Sequence, residues 1–106
     1  MKEIKKSDLA FLKRRIMPYF GVKKLYMDYK ETDYVFPDCW VDMNSRIPVI
    51  TVTQEWARQS MDERRKRLVH EVGHIFGYNH GIINGLRYDT HPEKDDWSRY
   101  IYGKIK

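Results

Sequence analysis

The amino-acid sequence predicts a small α+β domain in which helices flank a three-stranded sheet. Between residues 22 and 53, three segments rich in Val, Ile, Thr and Tyr are separated by turn residues, which is the pattern of three strands. Apolar residues at helical spacing come before them, and a capping signal opens a long helical segment after them. Hydrophobic residues make up 42% of the 106 residues, enough for one core, so we expect a single domain over residues 1–106.

The first element is a helix predicted from about Asp8 to Met17. Ser7 and Asp8 are favourable N-cap residues. The apolar face of this helix consists of Leu9, Phe11, Leu12 and Ile16. We expect Pro18 and Gly21 to end it, because proline interrupts helical hydrogen bonding and glycine adopts the left-handed conformation that closes a helix.

The three strands are predicted at Val22–Tyr29, Tyr34–Met43 and Ile47–Thr53, from their content of β-branched and aromatic residues. The last two segments are joined by the short turn at residues 44–46, so we expect them to form a hairpin. Pro37 cannot donate a ladder hydrogen bond and therefore indicates a bulge or a sheet edge in the second strand.

A long helix is predicted from Met61 to about Phe76. Ser60 and Glu63 have the spacing of a capping box, in which the serine caps the helix and the glutamate reaches back. Gly77 is expected to end the helix. Its core side is predicted to carry Leu68, Val72, Ile75 and Phe76.

The segment from Tyr78 to Asp89 is predicted to be an irregular loop that leads to a last helix. Asp89 or Thr90 can cap this helix, and Pro92 fits its first turn. Its apolar side is predicted to carry Trp97, Tyr100 and Ile101.

The most informative stretch is His70-Glu71-Val72-Gly73-His74, an H-E-x-x-H string inside the long helix. Residues four apart lie one above the other on a helix, so His70 and His74 can reach the same ion, on a face turned towards a cleft. Two imidazoles and a nearby carboxylate that is not a ligand are the groups that a catalytic zinc site needs. The string therefore predicts a Zn²⁺ cofactor bound by His70 and His74, with Glu71 as the catalytic base.

The expected activity is hydrolysis of a peptide bond in a polypeptide substrate. Zinc lowers the pKa of a bound water to about 7, so that Glu71 can take its proton and later pass it to the leaving nitrogen. A hydroxyl or imidazole should stabilise the oxyanion. The sequence offers several candidates without choosing among them: Tyr78, Tyr88, His91, Tyr100 and Tyr102.

Two residues compete to be the third metal ligand. The string continues through Gly77 to His80, which gives the H-E-x-x-H-x-x-G-x-x-H pattern of metzincins. Metzincins also have a methionine turn downstream, but the last methionine of this chain is Met61. The alternative ligand is Glu93, an acidic residue in the first turn of the last predicted helix, where the helix dipole alone would also favour it.

Together the H-E-x-x-H helix, the preceding strands and the later glutamate resemble the zincin metallopeptidases, and at this length the minigluzincins. The resemblance covers nearly the whole chain. It implies a minimal zincin fold with an upper part at about residues 1–77, a lower part at about 78–106, and zinc in the cleft between them. It also implies that Glu93 on a glutamate helix completes the zinc site, with Asp96 behind one of the histidines.

The same resemblance implies two features of the cleft. One is latency, with the segment 102–106 lying across the cleft, so autoinhibition or self-association through this C-terminal tail is part of the expectation. The other is a sheet edge that pairs with an extended substrate, for which Tyr34–Met43 or Ile47–Thr53 are the candidates.

Composition also limits the classes of protein to which this chain can belong. Cys39 is the only cysteine, which excludes an internal disulfide and a cysteine-based zinc finger. No apolar run has the length of a signal peptide or a membrane span, so we expect a cytoplasmic protein without a membrane partner. The net charge of +5 includes basic runs at residues 13–15 and 64–67, which we interpret as solvated helix faces.

Two other functional classes stay open. One is a zinc-binding or regulatory module without catalysis, because a fold of this size offers few substrate subsites. The other is a DNA-associated protease like the SprT family, which also has H-E-x-x-H. Neither basic run is interleaved with the aromatic residues that stack on bases, so a nucleic-acid partner is not expected.

Overall fold

The computed structural model describes residues 4–35, 37–76, 82–83, 86–87 and 96–106. Its architecture is α+β, with an N-terminal helical segment, a small three-stranded sheet and a C-terminal helix, as the sequence predicts. The long helix that contains the motif lies between the sheet and the C-terminal helix in chain order. None of the described helices is long and apolar enough to cross a membrane.

The sheet is built around its third strand. β1 (Tyr26–Lys30), β2 (Cys39–Asp42) and β3 (Val49–Thr53) lie in the order β1-β3-β2. β1 runs parallel to β3, and β2 runs antiparallel to it in the predicted hairpin. Ile50 and Val52 of β3 lie on the same face of the sheet, and both are fully buried in the hydrophobic core.

Both edge strands are shorter than predicted. β1 begins at Tyr26 rather than at Val22, because residues 22–25 carry the chain from the preceding helix to the sheet. β2 begins at Cys39 rather than at Tyr34. Tyr34 and Val35 are exposed, and Pro37 precedes the strand instead of forming a bulge within it. β propensity therefore predicts which segments form strands but not where the strands end, because the ends depend on pairing with β3.

The N-terminal helical segment is longer than predicted. It consists of α1 (Lys6–Phe11), a π-helical turn (Leu12–Ile16) and α2 (Met17–Phe20). Pro18 lies in the first turn of α2 and does not end the segment, because a missing N–H is tolerated there. Gly21 ends it in the left-handed conformation with φ of 72°, as predicted.

The long helix α4 (Met61–Phe76) has the predicted bounds. The Ser60 hydroxyl accepts the backbone N–H of Glu63 at 3.2 Å, which confirms the serine cap. The Glu63 carboxylate instead contacts Lys66 and Arg67, one turn further along the same helix. Before α4, the short helix α3 (Gln54–Ala57) contains Trp56, which is fully buried and donates its indole N–H to the Arg64 carbonyl at 3.1 Å.

The C-terminal helix α5 (Asp96–Ile105) packs along α4. Ile101 is buried as predicted, whereas Tyr100 is 66% exposed and Tyr102 takes its place in the core. At the end of α4, Phe76 is exposed although it was predicted on the core side. The core shared by these elements contains Leu12, Ile16, Phe20, Ile50, Val52, Trp56, Leu68, Val69, Val72, Ile101 and Tyr102.

The segment predicted as an irregular loop after α4 contains a two-stranded sheet. β4 (Ile82–Ile83) and β5 (Leu86–Arg87) pair antiparallel. Strands of two residues have no periodicity that a sequence pattern can reveal.

Candidate metal centre

The motif occupies the last two turns of α4, where the helix passes between the sheet and α5. His70 and Glu71 are buried, and His74 is partly exposed. Leu68, Val69 and Val72 on the same helix are fully buried in the core, so the apolar packing of α4 fixes the direction in which the motif side chains leave the helix.

The two histidines converge as the four-residue spacing predicts. Their Nε2 atoms are 2.9 Å apart, and the imidazole planes are nearly perpendicular at 88°. This separation is short enough for a ring N–H of one imidazole to donate to the Nε2 atom of the other, with the roles set by the tautomers. Zinc bound about 2.05 Å from both atoms at a tetrahedral angle would separate them by about 3.3 Å, so a movement of about 0.4 Å suffices. The pair therefore fits two ligand positions of one zinc ion.

Glu71 points from α4 towards β2. Its Oε2 atom lies 4.0 Å from the Cys39 Sγ, and the thiol donates to this carboxyl oxygen. Burial, followed by repulsion from Asp38, raises the pKa of Glu71 to about 8, although a backbone hydrogen bond from Val41 opposes the shift. In these surroundings Glu71 is therefore largely protonated at neutral pH, and a nearby dication would favour the carboxylate.

Asp38 and Arg67 form an ion pair beside Glu71. The Arg67 Nε atom is 2.7 Å from Oδ2 of Asp38, and both side chains are nearly buried. Within the described part of the chain that Nε makes no well-directed hydrogen bond, so the contact is an ion pair at short range rather than a hydrogen bond. Burial raises the pKa of Asp38, while Arg67 opposes that shift.

Cys39 is a buried free thiol in this region. Burial raises its pKa well above the usual range, and the carboxylates of Glu71 and Asp38 raise it further. The thiol is therefore neutral near neutral pH and acts as a weak donor to Glu71 rather than as a thiolate.

Trp97 of α5 covers the histidines. Its indole stacks on the His70 ring with centroids 5.2 Å apart and an interplanar angle of 13°. The same indole meets the His74 ring edge-on, with centroids 6.1 Å apart. Sequence reasoning placed Trp97 only on an apolar helix face, because no local pattern reveals which residue of α5 faces the motif.

Both residues predicted as candidates for a third ligand, Glu93 and His80, lie outside the part of the chain that the structure describes, and so does Gly77. Among the described residues, no group of three or more His, Cys, Asp or Glu side chains is placed to hold a metal ion. The structure therefore brings His70 and His74 together, with Glu71 buried on the same helix, and the choice between Glu93 and His80 stays a prediction.

The candidate oxyanion donors lie in different parts of the chain, and none of those that the structure describes is shown in contact with the histidines. Tyr78, Tyr88 and His91 lie outside the described residues. Tyr100 is mostly exposed on α5. The Tyr102 hydroxyl donates to Asp62 at 2.5 Å, in the first turn of α4 and about 12 Å along the helix from His70. Asp96 is the first residue of α5.

The C-terminal segment 102–106 continues α5 instead of forming a separate tail. Tyr102 also packs edge-on against Phe11, with ring centroids 5.8 Å apart. These contacts place the segment at the start of α4, at the opposite end of the helix from the motif. The expectation that this segment lies across the cleft gains no support from these contacts, because Trp97 is the α5 side chain that reaches the histidines.

β2 is the strand that lies beside the motif. It is an edge strand, since among the described residues it pairs with β3 alone. β3 is the central strand and has no free edge. Two segments were predicted as candidates to pair with an extended peptide. The segment that contains Cys39–Asp42 is the one that lies at an edge of the sheet.

Comparison of the chain with known protein families, with curated proteins and with solved structures found no match.

Proposed function

We propose that this chain is a zinc-dependent peptidase that hydrolyses a peptide bond in a polypeptide substrate. The observation that carries the proposal is the convergence of the His70 and His74 Nε2 atoms, 2.9 Å apart, on a helix that buries Glu71 next to a sheet edge. Minimal zincin architecture and a cytoplasmic location are parts of the same proposal. The third ligand is Glu93, with His80 as the alternative.

The proposed chemistry divides between the metal and Glu71. When bound, zinc lowers the pKa of water and polarises the substrate carbonyl. Glu71 accepts the proton of the attacking water and then delivers it to the leaving nitrogen. Glu71 is only 8% exposed, so bulk water has little access to its carboxyl group. His70 and His74 hold their Nε2 atoms towards a common point and take no part in proton transfer.

The edge of β2 gives the substrate its orientation in this proposal. An extended peptide that adds to β2 makes main-chain hydrogen bonds irrespective of its side chains. Because β2 packs beside α4, the peptide backbone would pass close to Glu71 and the histidines. This arrangement favours an endopeptidase, which binds the substrate through its backbone, over an exopeptidase, which recognises a terminal residue.

A zinc-binding module without catalysis would share the two histidines but would not need Glu71. A DNA-associated protease would need a free basic surface. The run 64–67 is instead paired with carboxylates: Arg64 and Arg65 with Asp8, Lys66 with Glu63, and Arg67 with Asp38 and Glu63. The interpretation of that run as a solvated helix face is therefore wrong, because its basic side chains are paired with carboxylates. Such paired charges do not favour nucleic acid as a partner.

The test is cleavage of casein and of a mixed peptide library by zinc-loaded protein, with Glu71→Gln as the matched variant. The proposal expects cleavage by the wild type, a loss of at least about 100-fold in E71Q, and equal zinc content in both. Equal zinc content without cleavage in either protein would favour the non-catalytic module. Failure of the wild type to bind zinc would overturn both readings.

A further inference from the structure

Trp97 and Gly73 fit together at the centre of the motif. A Cβ atom placed on Gly73 would overlap Cζ3 and Cη2 of the Trp97 ring and would lie 3.5 Å from its Cε3. Any side chain at position 73 would therefore push the indole away from α4. Glycine inside a helix is destabilising relative to alanine, so its place here is explained by the space that it leaves for the indole.

The same indole contacts both imidazoles of the motif from different directions. It is stacked on His70, at an interplanar angle of 13°, and it stands at 78° to the ring of His74. Aromatic pairs at these separations and angles are favourable arrangements. Rotation of an imidazole about χ2 has broad minima, so a histidine without such a neighbour samples many ring orientations.

From this geometry we infer that Trp97 is a positioning residue for the metal centre and that Gly73 admits it to the site. The stack restricts the plane of the His70 ring and so aims its Nε2 atom at the point shared with His74. The effect is preorganisation, because the cost of ordering the ring is met in the metal-free protein. Trp97 affects zinc binding by orienting the histidines, and the proposal assigns it no contact with substrate or with the attacking water. The inference rests on the proposed zinc site.

Zinc binding and the docking of α5 on α4 should stabilise each other. If Trp97 orders the site for zinc, bound zinc must in turn stabilise the docking of α5 on α4, because linkage is reciprocal. Zinc should therefore raise the hydrogen-exchange protection of residues 97–105. This readout requires no catalytic activity.

The first experiment compares Trp97→Leu with Trp97→Phe, using zinc affinity measured by competition with a chromophoric chelator. Leucine fills apolar space but cannot stack, whereas phenylalanine retains a stacked ring. We expect zinc binding to weaken about 10-fold or more in W97L and about 3-fold or less in W97F. Trp40→Leu is the control, since Trp40 is also partly buried but its ring packs edge-on against Tyr34, with centroids 6.4 Å apart, and the zinc affinity of W40L should equal that of the wild type.

A second experiment separates positioning from folding. Far-UV circular dichroism identifies the variants that keep the fold, and the visible absorption of the Co²⁺-substituted protein reports coordination geometry. The Co²⁺ bands should change in W97L and stay unchanged in W97F. If W97L does not fold, Trp97→Met supplies the same comparison with a flexible apolar side chain that cannot stack as a ring.

The contact itself is tested by a double-mutant cycle between Gly73→Ala and Trp97→Ala. The cost of G73A in stability should be smaller in the W97A background, because the alanine methyl then has space. Additive costs would show that the two residues do not meet. Wild-type zinc affinity in a folded W97L or W97M would overturn the inference alone, whereas a wild-type protein that binds no zinc would overturn the proposed function as well.

Discussion

Asp8 and Arg64 form a buried ion pair that joins the N-terminal helix to the first turn of the motif helix. The Arg64 Nε donates to Oδ2 of Asp8 at 2.7 Å, and Asp8 is fully buried. Arg65 donates to the other carboxylate oxygen at 3.0 Å. Asp8 therefore does not serve as the N-cap that its position in the sequence suggests. Its carboxylate instead holds α1 and α4 together, which fixes the end of the helix opposite the histidines.

Replacing Asp8 with alanine should destabilise the protein strongly. Arg64 would remain buried without a carboxylate, and uncompensated burial of a charge costs about 3–5 kcal/mol. Urea unfolding of D8A measures the loss. The control is Glu55→Ala, which removes a pair with the largely exposed Arg58 and should cost less than about 1 kcal/mol. Similar losses in the two variants would contradict the structural role of Asp8.

Glutamine at position 71 should stabilise the metal-free protein at alkaline pH. Burial raises the pKa of Glu71 to about 8, against an ordinary value of 4.5. Between those values the native state binds more protons than the unfolded state, so wild-type stability falls as pH rises through this window. Glutamine has the same shape and does not ionise.

The measurement is the melting temperature of chelator-treated wild type and E71Q between pH 5 and pH 9. The advantage of E71Q should grow by about 5 °C or more across this range. The same difference in melting temperature at both ends would show that Glu71 is not forced into a buried, charged state.

Phenylalanine at position 102 should weaken the attachment of α5 to the start of α4. The lost hydrogen bond to Asp62 is worth about 1–2 kcal/mol. Burial and this bond raise the pKa of Tyr102 to about 12, so its contribution is complete below about pH 10 and is lost as pH rises towards 12. Chemical unfolding at pH 8 and pH 11 should show a smaller difference between wild type and Y102F at the higher pH. Tyr100→Phe, at an exposed position of the same helix, should match the wild type at both pH values.

Glu93→Ala should lower zinc affinity far more than His80→Ala does. Loss of one of three protein ligands leaves a zinc site with two, which typically costs orders of magnitude in affinity. Zinc competition assays on both variants measure the difference. Full zinc affinity in E93A together with loss in H80A would assign the third position to His80.

The elements and the motif could be predicted from local sequence because their causes are local. The bounds of α4 follow from the Ser60 cap and the apolar spacing, and the convergence of His70 and His74 follows from the helical period. The hairpin follows from the short turn between two strand-like segments. In each case the residues that decide the structure lie within a few positions of one another.

The remaining features depend on residues far apart in the chain. Asp8 meets Arg64 across 56 positions, and Trp97 meets His70 across 27. No periodicity specifies such pairs, so the sequence indicated neither the buried carboxylate nor the tryptophan over the motif. The contact between Cys39 and Glu71 also joins residues far apart in the chain, because the packing of β2 on α4 brings them together.

His70 and His74 are proposed to hold one zinc ion, and anomalous diffraction at the zinc absorption edge locates such an ion. Crystals of the zinc-loaded protein should show one anomalous peak about 2.0–2.1 Å from both Nε2 atoms, with Glu71 outside bonding distance. The peak should be absent in crystals of His74→Ala treated in the same way. A zinc-loaded wild-type crystal with no peak between these two nitrogens would show that His70 and His74 do not bind zinc.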